Sequence, residues 1–461
     1  MALTDLIFDM NPWWRDRQAI QQDSQIRTFD ASKIKWHPPL LKTSLAEDAL
    51  HIIKGPRQVG KTTLLKLFIR NLLADRKVSD KDILFLSLDA ARTVDEVLET
   101  LLYYLKTVRT SNRSYLFLDE ASFLPEWPRA IKVLIDMGFD RNATFVVTGS
   151  SALDLKRSSE KLPGRRGKGR DSVLLPLSFG QFLGILYPQI KLTPVNSISE
   201  FSQRTQEDFF DLHMVKTELE GALLTYLQTG GFPAWIDIHL KAESEEHLLM
   251  TFRAIIEGDM ARLKKNTSHL MHLALPLLKH IGNPVDWKKL ADETGMGSHH
   301  TAHDYISILA DSYILYFLQA LDTNKNLPKL RKGKKIYPFD PVISKVLLDY
   351  HPNLNIENPA LIEAVVGSHL LRKSRFINAG LASVSDLFYW QSKAGKEVDF
   401  VFLDQKGLQP VEVKYQNQVT LRDSITMVRH FNHGLLLSRK DFEIGPNALM
   451  LPVSWFLALI A

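Results

Sequence analysis

A glycine-rich run near the start of the chain has the residue types and the spacing of a phosphate-binding loop. The pattern GxxxxGK[ST] is matched by the consecutive residues Gly55, Pro56, Arg57, Gln58, Val59, Gly60, Lys61 and Thr62, and Thr63 follows them. An apolar run ending at Lys54 precedes the loop and the helical pattern LLKLFIRNLL follows it, which is the order that such a loop requires. Its backbone amides can bind phosphates, Lys61 can reach the outer phosphates, and the Thr62 hydroxyl can bind Mg2+. The loop therefore predicts ATP and Mg2+ as ligands of residues 55–63.

Two carboxylates further along the chain complete this constellation. The apolar run SYLFLD ends in Asp119, and Glu120 follows it. We expect Asp119 to hold the magnesium ion through water, and Glu120 to orient the attacking water and take its proton as a general base. The neighbouring run FVVTGS offers a polar side chain to hold that water, with Thr148 as the first choice and Ser150 as the second.

A basic segment, KRSSEKLPGRRGKGR at 156–170, follows the carboxylates. Its basic residues are Lys156, Arg157, Lys161, Arg165, Arg166, Lys168 and Arg170. One arginine here could reach the nucleotide of a neighbouring subunit, where extra positive charge stabilises the transferring phosphate. A solvated basic loop, or a pore loop that tracks phosphates, explains the same charges, so these alternatives stay open.

The elements that must position these residues form an alternating pattern. Short apolar runs alternate with helical stretches from residue 49 to 177, which predicts an α/β fold: the parallel sheet of a P-loop nucleotide hydrolase with helices on both faces. The 461 residues are enough for two to four domains, and 45% hydrophobic with 24% charged residues is ordinary for a folded chain. The absence of cysteine excludes disulfides and thiolate zinc sites.

The chain ends carry no pattern for export or membrane insertion. The N-terminus lacks a basic region ahead of an apolar run, and the final stretch LPVSWFLALIA is too short to cross a bilayer. The net charge of +5 is only mildly basic. We expect a cytoplasmic protein without membrane partners.

Five segments together resemble a known family. GPRQVGKTT, YLFLDE, VVTGSSA, the GRR segment followed by LLPLSFGQF, and TGGFPAW are similar to the prokaryotic AAA+ ATPases whose C-terminal part is a domain of unknown function. The resemblance covers nearly the whole chain. It implies an ATPase core, a winged helix, a nuclease-like C-terminal domain and, by analogy with AAA+ proteins, a homo-oligomeric ring, often a hexamer. The GR of the family corresponds to Gly164 and Arg165, so Arg165 is the first candidate for an arginine finger and Arg166 the second.

This organisation predicts five segments. They are an N-terminal extension at 1–45, the AAA+ core at 46–180, a helical lid or connector at 181–270, a winged helix at 271–350, and a small α/β nuclease-like domain at 351–461.

A helix-turn-helix pattern lies in the fourth segment. The run DWKKLADETGMGSHHTAHDYISILADSYILYFL reads as helix, tight turn at Gly295, and a second helix that starts after Ser298. Its exposed start would carry His299 and His300. The following basic wing contains Lys325, Lys329, Arg331, Lys332, Lys334 and Lys335. We expect DNA to contact His299, His300, Lys329, Arg331, Lys332 and Lys334, although a protein-contact module or a solvated hairpin would show the same pattern.

A second set of carboxylates lies near the C-terminus. Asp399 is on one predicted strand, and Glu412 and Lys414 share one face of the next, while Glu363 in the preceding helical run could add another acid. Two carboxylates could bind a second Mg2+, and the lysine could position water or stabilise phosphate charge. The arrangement is similar to the core of PD-(D/E)xK nucleases, but an ordinary charged hairpin or a nuclease fold that only binds would look alike.

These observations favour an ATPase that couples hydrolysis to binding or remodelling of DNA, duplex or branched. Two alternatives stay open: an ATP-dependent nuclease that uses the C-terminal domain, and a nucleotide-controlled switch that binds a protein partner.

Overall fold

The computed structural model describes residues 3–124, 126–150, 164–375 and 377–460. The chain divides into two compact units, Met1–Leu175 and Pro176–Ala461. The first contains the predicted nucleotide site, and the second contains the helix-turn-helix and the C-terminal carboxylates. The finer division into five segments stays a prediction.

The first unit is built on a sheet of parallel strands. In the described residues this sheet has five strands in the order β2-β3-β4-β1-β5. Their bounds are β1 Ala49–Lys54, β2 Ile83–Ser87, β3 Ser114–Asp119, β4 Ala143–Gly149 and β5 Asp171–Val173. Every residue of β1 and β4 is buried, as expected for central strands covered on both faces, which explains their nearly continuous apolar sequence.

Helices connect and cover these strands. They are Leu3–Met10, Ser24–Ala31, Lys61–Ala74, Val94–Tyr103 and Trp127–Asp136. The helix predicted near 93–107 ends at Tyr103 and continues as one π-turn over Tyr104–Val108. The predicted α/β class is therefore confirmed for this unit.

The N-terminal extension protects the edge of this sheet. The side-chain amide of Asn11 donates to the Phe85 carbonyl (2.8 Å) and accepts from the Phe85 amide (2.6 Å), as a neighbouring strand would. The indole of Trp14 donates to the Ile83 carbonyl (2.8 Å). Because β2 is the edge strand, these bonds satisfy backbone groups that would otherwise be open to pairing with another chain.

The second unit begins with helices and continues into a mixed sheet. Its helices are Phe179–Leu186, Phe210–Met214, Lys216–Thr229, Pro233–Lys241, Glu246–Arg262, Ser268–Lys279, Trp287–Thr294, His299–Asp311, Pro341–Asp349, Asn358–Arg372, Ile425–Phe431 and Val453–Leu459. None of the described helices is long and apolar enough to cross a membrane.

The sheet of the second unit joins the wing to the C-terminal strands. Its bounds are β6 Leu315–Asp322, β7 Leu327–Lys329, β8 Lys335–Pro338, β9 Leu387–Gln391, β10 Glu397–Asp404, β11 Gly407–Lys414, β12 Gly434–Ser438, β13 Glu443–Ile444 and β14 Ala448–Pro452. The order over the described residues is β13-β14-β12-β11-β10-β9-β6-β7, and β8 pairs with β6 over Leu315–Leu318. One sheet thus crosses the segment boundary expected at residue 350.

The TGGFPAW segment is a packing element of this unit. The Leu177 amide donates to the Gly231 carbonyl (2.7 Å), and the Gly231 amide donates to Oδ2 of Asp340 (2.9 Å). A Cβ atom on Gly231 would lie 2.2 Å from the Leu177 carbonyl oxygen, so no larger residue fits. Gly231 therefore permits a close backbone contact with Leu177.

Candidate nucleotide site and C-terminal carboxylate cluster

The phosphate loop connects β1 to the helix Lys61–Ala74. A Cβ atom on Gly55 would meet the Leu174 carbonyl oxygen at 2.1 Å, so the close approach of these backbones requires glycine. Gln58 and Gly60 have positive φ values of 62° and 97°. These left-handed turns shape the loop and deliver Lys61 as the first residue of the helix.

The Lys61 side chain is buried at the loop. Its ammonium donates to the carbonyls of Gly55 (3.1 Å) and Pro56 (2.8 Å), and the residue is only 4% exposed. The next residues face other elements: Thr62 bonds to Asp119, and the Thr63 hydroxyl donates to Gln25 of the N-terminal extension (3.1 Å). Arg57 lies over the Phe123 ring at 5.1 Å.

Asp119 lies at the C-terminal end of β3 between two hydroxyl donors. Thr62 donates to its Oδ2 at 2.6 Å, and Thr148, on the neighbouring strand β4, donates to its Oδ1. A hydroxyl and a carboxylate in contact offer the hard oxygen ligands that Mg2+ prefers, so the two side chains fit a nucleotide-bound magnesium ion.

Glu120 adopts an unusual backbone conformation. Its φ of 52° lies in the left-handed region, which costs free energy for a non-glycine residue and is found often at functional sites. The Ser150 hydroxyl donates to its Oε2 at 3.2 Å, and the Ser122 hydroxyl lies 3.3 Å from that of Ser150. Thr148 accepts a hydrogen bond from the backbone amide of Glu120 at 3.3 Å but does not contact the Glu120 carboxylate. Ser150, the second choice in the sequence, is therefore the residue that contacts the carboxylate.

Both candidate finger arginines form ion pairs within the first unit. Arg165 lies 3.1 Å from Asp136, and Nε of Arg166 lies 2.8 Å from Asp171. The Arg166 carbonyl also accepts from the Leu50 amide of β1 (2.9 Å). Lys156, Arg157 and Lys161 of the basic segment lie outside the described residues. Action of either arginine on a neighbouring subunit stays a prediction.

The helix-turn-helix has the predicted geometry. Gly295 ends the first helix in the left-handed conformation (φ 67°), and Ser298 caps the second by accepting from the Thr301 amide at 3.1 Å. His299 and His300 are exposed on its first turn, with ring centroids 4.1 Å apart. They are thus placed on an open surface.

The lysines of the wing point in different directions. Arg331 and Lys332 are exposed, and Lys329 is half-buried. Lys334 is only 6% exposed, and its ammonium donates to the carbonyls of Leu330 (2.6 Å) and Lys332 (2.7 Å). Lys334 therefore shapes the wing turn and does not belong to the exposed set.

A residue that the site prediction did not include occupies the centre of the C-terminal carboxylates. Lys335 is fully buried, and its ammonium lies 3.1 Å from Asp399, 3.1 Å from Glu397 and 3.3 Å from Glu363. The sequence showed it only as the last member of a basic run. Its placement at the start of β8 brings its ammonium to Glu397 and Asp399 of β10.

Two of the predicted metal ligands, Asp399 and Glu363, are already engaged, whereas Oε2 of Glu412 is buried without a hydrogen-bond partner among the described residues. Oδ2 of Asp399 accepts from the Val413 amide (2.9 Å), and Oε1 of Glu363 accepts from the Tyr337 hydroxyl (2.6 Å). Lys414 pairs with Glu412 at 3.0 Å, which confirms that the two share a strand face. Across the described residues, no group of three or more histidine, aspartate or glutamate side chains is arranged to hold a metal ion. A second Mg2+ held by Asp399 and Glu412 stays a prediction.

The surroundings shift the proton affinities of this cluster. Burial, reinforced by the charge of Asp399, raises the pKa of Glu363 to about 7, against the opposing effect of Lys335. Burial also raises the pKa of Glu412, and Lys414 opposes that rise. Burial alone would lower the pKa of Lys335, but the negative charges of Asp399, Glu363 and Glu397 outweigh it and raise this pKa well above its usual range.

Sequence-family comparisons match three stretches of the chain. Residues 47–183 match an AAA domain. Residues 220–354 match a domain of unknown function, DUF8612, and residues 359–453 match another, DUF4143. No curated protein matches the chain. The phosphate loop and both carboxylates of the nucleotide site lie inside the AAA match.

Solved structures with related folds are distant. A katanin structure, from work on the structural basis of katanin self-assembly, is 16% identical to this chain. The match covers 42% of this chain and 60% of the katanin chain, and its TM-score is 0.22. The replication initiator DnaA bound to AMPPCP and single-stranded DNA is 15% identical, with 58% and 83% coverage and a TM-score of 0.26. C. elegans PCH-2 is 14% identical, with 54% and 65% coverage and a TM-score of 0.27. The chain spans less than two thirds of the katanin and PCH-2 chains, and likenesses this weak bear on neither substrate nor assembly.

The first unit is an AAA-type P-loop ATPase domain. The parallel sheet, the phosphate loop, the Thr62–Asp119 pair and the match over residues 47–183 define this class together. Further α/β structure follows it in the second unit.

Proposed function

We propose that this chain is an oligomeric ATPase that hydrolyses ATP with Glu120 as general base and uses the turnover to bind and remodel duplex or branched DNA. The observation that carries the ATPase step is the arrangement of Asp119 and Glu120, each held by a hydroxyl group of the same site. A carboxylate fixed before the reaction begins needs no reorganisation in the transition state.

The chain's own side chains perform separate parts of hydrolysis. Lys61 exchanges its carbonyl partners for the outer phosphates of ATP, whose negative charge it stabilises. Ser150 occupies Oε2 of Glu120, so Oε1 is directed to the attacking water and takes its proton. The water oxygen bonds to the γ-phosphorus as the bond to the bridging oxygen breaks, which releases ADP and phosphate. Thr62 and Asp119 would hold the Mg2+ that neutralises phosphate charge.

DNA binding is supported by the exposed charges of the second unit. His299 and His300 lie on the first turn of a helix that has the position of a recognition helix, and Arg331 and Lys332 are exposed on the wing. Cationic side chains bind DNA phosphates and release counterions, which makes the affinity depend on salt. Assembly into a homo-oligomeric ring such as a hexamer is proposed because Arg165 or Arg166 would then contact a neighbouring nucleotide.

The first test measures ATP turnover by wild type and Glu120→Gln with branched, duplex or single-stranded DNA and without DNA. Stimulation by one DNA form that is lost in Glu120→Gln supports the proposal. Turnover that no DNA form changes, together with no binding at low salt, contradicts the DNA role while leaving the ATPase role intact.

The second test separates the wing from general charge. Arg331→Ala/Lys332→Ala should weaken DNA binding and reduce the salt slope by about two, since each phosphate contact contributes roughly one. The charge-matched control Lys191→Ala/Lys440→Ala replaces exposed lysines far from the wing in sequence. Equal losses in both double variants would contradict a specific wing contact.

One observation favours a second candidate, the nucleotide-controlled switch that binds a protein. Leu327 and Leu330 of the wing are 57% and 69% exposed, and exposed apolar side chains often mark protein contacts. Leu330→Ser would then abolish capture of the partner while leaving DNA affinity and its salt dependence unchanged. Loss of DNA affinity in Leu330→Ser would assign these leucines to the DNA interface instead.

A further inference from the structure

The C-terminal carboxylates surround a lysine rather than an open space. The Lys335 ammonium lies within 3.3 Å of carboxylate oxygens from Glu363, Glu397 and Asp399, and its side chain is only 1% exposed. These acids come from a helix and a strand that converge on the start of β8. We infer that Lys335 is the resident cation of this cluster, in the place where a nuclease of this fold would hold a divalent metal ion, and that the module works without metal and without cutting DNA.

The engagement of Asp399 is the first argument. Its Oδ1 accepts from Lys335 at 3.1 Å, and its Oδ2 accepts from the backbone amide of Val413 at 2.9 Å. A metal ion on Oδ1 would have to displace the ammonium or lie directly beside it. The amide of Val413 belongs to β11, so it cannot move away without breaking the strand.

The balance of charge is the second argument. Lys335 and Lys414 supply two positive charges, and the acids that they contact are Glu363, Glu397, Asp399 and Glu412. A divalent ion on Glu363, Glu397 or Asp399 would lie beside the Lys335 ammonium, which repels it.

Burial and packing of Lys335 stabilise its contacts with the three acids. Lys335 is the first residue of β8 and its side chain lies 5.8 Å from the Tyr389 ring, while Tyr389 donates its hydroxyl to the Gly333 carbonyl at 2.6 Å. The residue before it, Lys334, is bound to the wing carbonyls. The backbone on its N-terminal side is thus fixed, and moving the Lys335 ammonium away would leave three acids without their counter-ion. The cluster joins the wing to β10 and thereby serves as an ionic anchor.

The inference depends on neither ATP hydrolysis nor DNA binding, so it is tested without nucleotide. All proteins carry Thr62→Ala, which removes a ligand of the nucleotide magnesium. Mn2+ binding is measured by electron paramagnetic resonance and by calorimetry for this background protein and for the same protein with Asp399→Asn. We expect equal binding in both. Binding that Asp399→Asn lowers tenfold or more would overturn the inference.

Removal of the lysine provides the converse measurement. Lys335→Met keeps the length of the side chain but removes its charge, and should gain one Mn2+ site that Lys335→Met/Asp399→Asn lacks. A folded Lys335→Met protein that gains no site would contradict the idea that the lysine takes the place of a metal ion. Circular dichroism establishes whether Lys335→Met folds. If it does not fold, the Mn2+ binding of the Thr62→Ala protein with and without Asp399→Asn decides alone.

Cleavage gives an independent readout on proteins that fold. Lys414 is partly exposed, so Lys414→Ala should leave the structure intact. Wild type and Lys414→Ala are incubated with branched, duplex and single-stranded DNA in Mg2+ or Mn2+. Equal background levels of product are expected, and products that disappear in Lys414→Ala would overturn the inference.

Discussion

Two buried lysines with opposite surroundings distinguish the two units. Lys61 in the first unit donates to the backbone carbonyls of Gly55 and Pro56, whereas Lys335 in the second unit is held by three carboxylates. A carbonyl carries no net charge, so an incoming phosphate can compete with it for the ammonium. A carboxylate left behind in a buried cluster would lose its counter-charge, which is costly.

The difference teaches that a buried lysine is not by itself evidence of a catalytic site. Both residues are almost inaccessible to solvent, at 4% for Lys61 and 0% for Lys335. What separates them is whether their partners can be exchanged for a substrate. Lys61 is thus suited to bind a ligand, and Lys335 is suited to hold the fold together.

The largest expected effect comes from removing the charge of Lys335. Lys335→Met should lower the unfolding free energy of the second unit by about 3–5 kcal/mol, because three acids lose their counter-ion. Lys414→Met is the matched control, since Lys414 pairs with one acid and is partly exposed, and it should cost about 1 kcal/mol or less. Urea unfolding combined with hydrogen exchange of β10 and β11 measures both. Equal losses would contradict the role of Lys335 as the buried anchor of the carboxylate cluster.

The next effect is on catalysis in the first unit. Lys61→Met should reduce ATP turnover about 10²–10³-fold, because the transferring phosphate loses a positive charge in a preorganised site. Thermal unfolding should change little, since the partners of Lys61 are backbone carbonyls. Steady-state phosphate release and calorimetric unfolding test the two halves of this expectation. A Lys61→Met protein that loses stability but keeps its turnover would reverse the comparison.

Asp340, a buried acid that accepts hydrogen bonds from backbone amides, sharpens the comparison through pH. Burial raises the pKa of Asp340 from 3.8 to about 6, although backbone amides of Gly231 and Val342 and the charge of Arg372 oppose the rise. The stability that this raised pKa contributes is complete below the unfolded value of 3.8 and is lost as the pH rises through about 6. The unfolding free energy should therefore fall by about 2–3 kcal/mol over this range. Asp340→Asn should flatten that slope, and an unchanged slope would show that another group titrates.

The smallest effect concerns the orientation of Glu120. Ser150→Ala should lower kcat about tenfold with little change in ATP affinity, because the carboxylate loses one of the bonds that hold it. Thr148→Val is the comparison, since Thr148 contacts Asp119 rather than the Glu120 carboxylate. If Thr148→Val lowers kcat without changing ATP affinity and Ser150→Ala has no effect on kcat, Thr148 is the residue that positions the water.

The sequence was sufficient for much of the first unit. The alternation of apolar runs and helices predicted the parallel sheet, and the confirmed AAA match covers the motifs on which that prediction rested. In the second unit, the Ser298 cap and the shared face of Glu412 and Lys414 followed from short-range periodicity. What it did not show was the sheet that joins β6 to β9, because pairing of strands distant in sequence leaves no local signal.

The residues Lys332, Lys334 and Lys335 show where sequence information ends. As a run they read as one basic wing, yet Lys332 faces solvent, Lys334 binds carbonyls and Lys335 binds acids. The phosphate loop could be recognised from the sequence by itself, because eight consecutive residues set its backbone shape and its chemistry. The fate of Lys335 was decided only by the tertiary structure, because its partners, Asp399 among them, come from distant parts of the chain and are brought to it by folding.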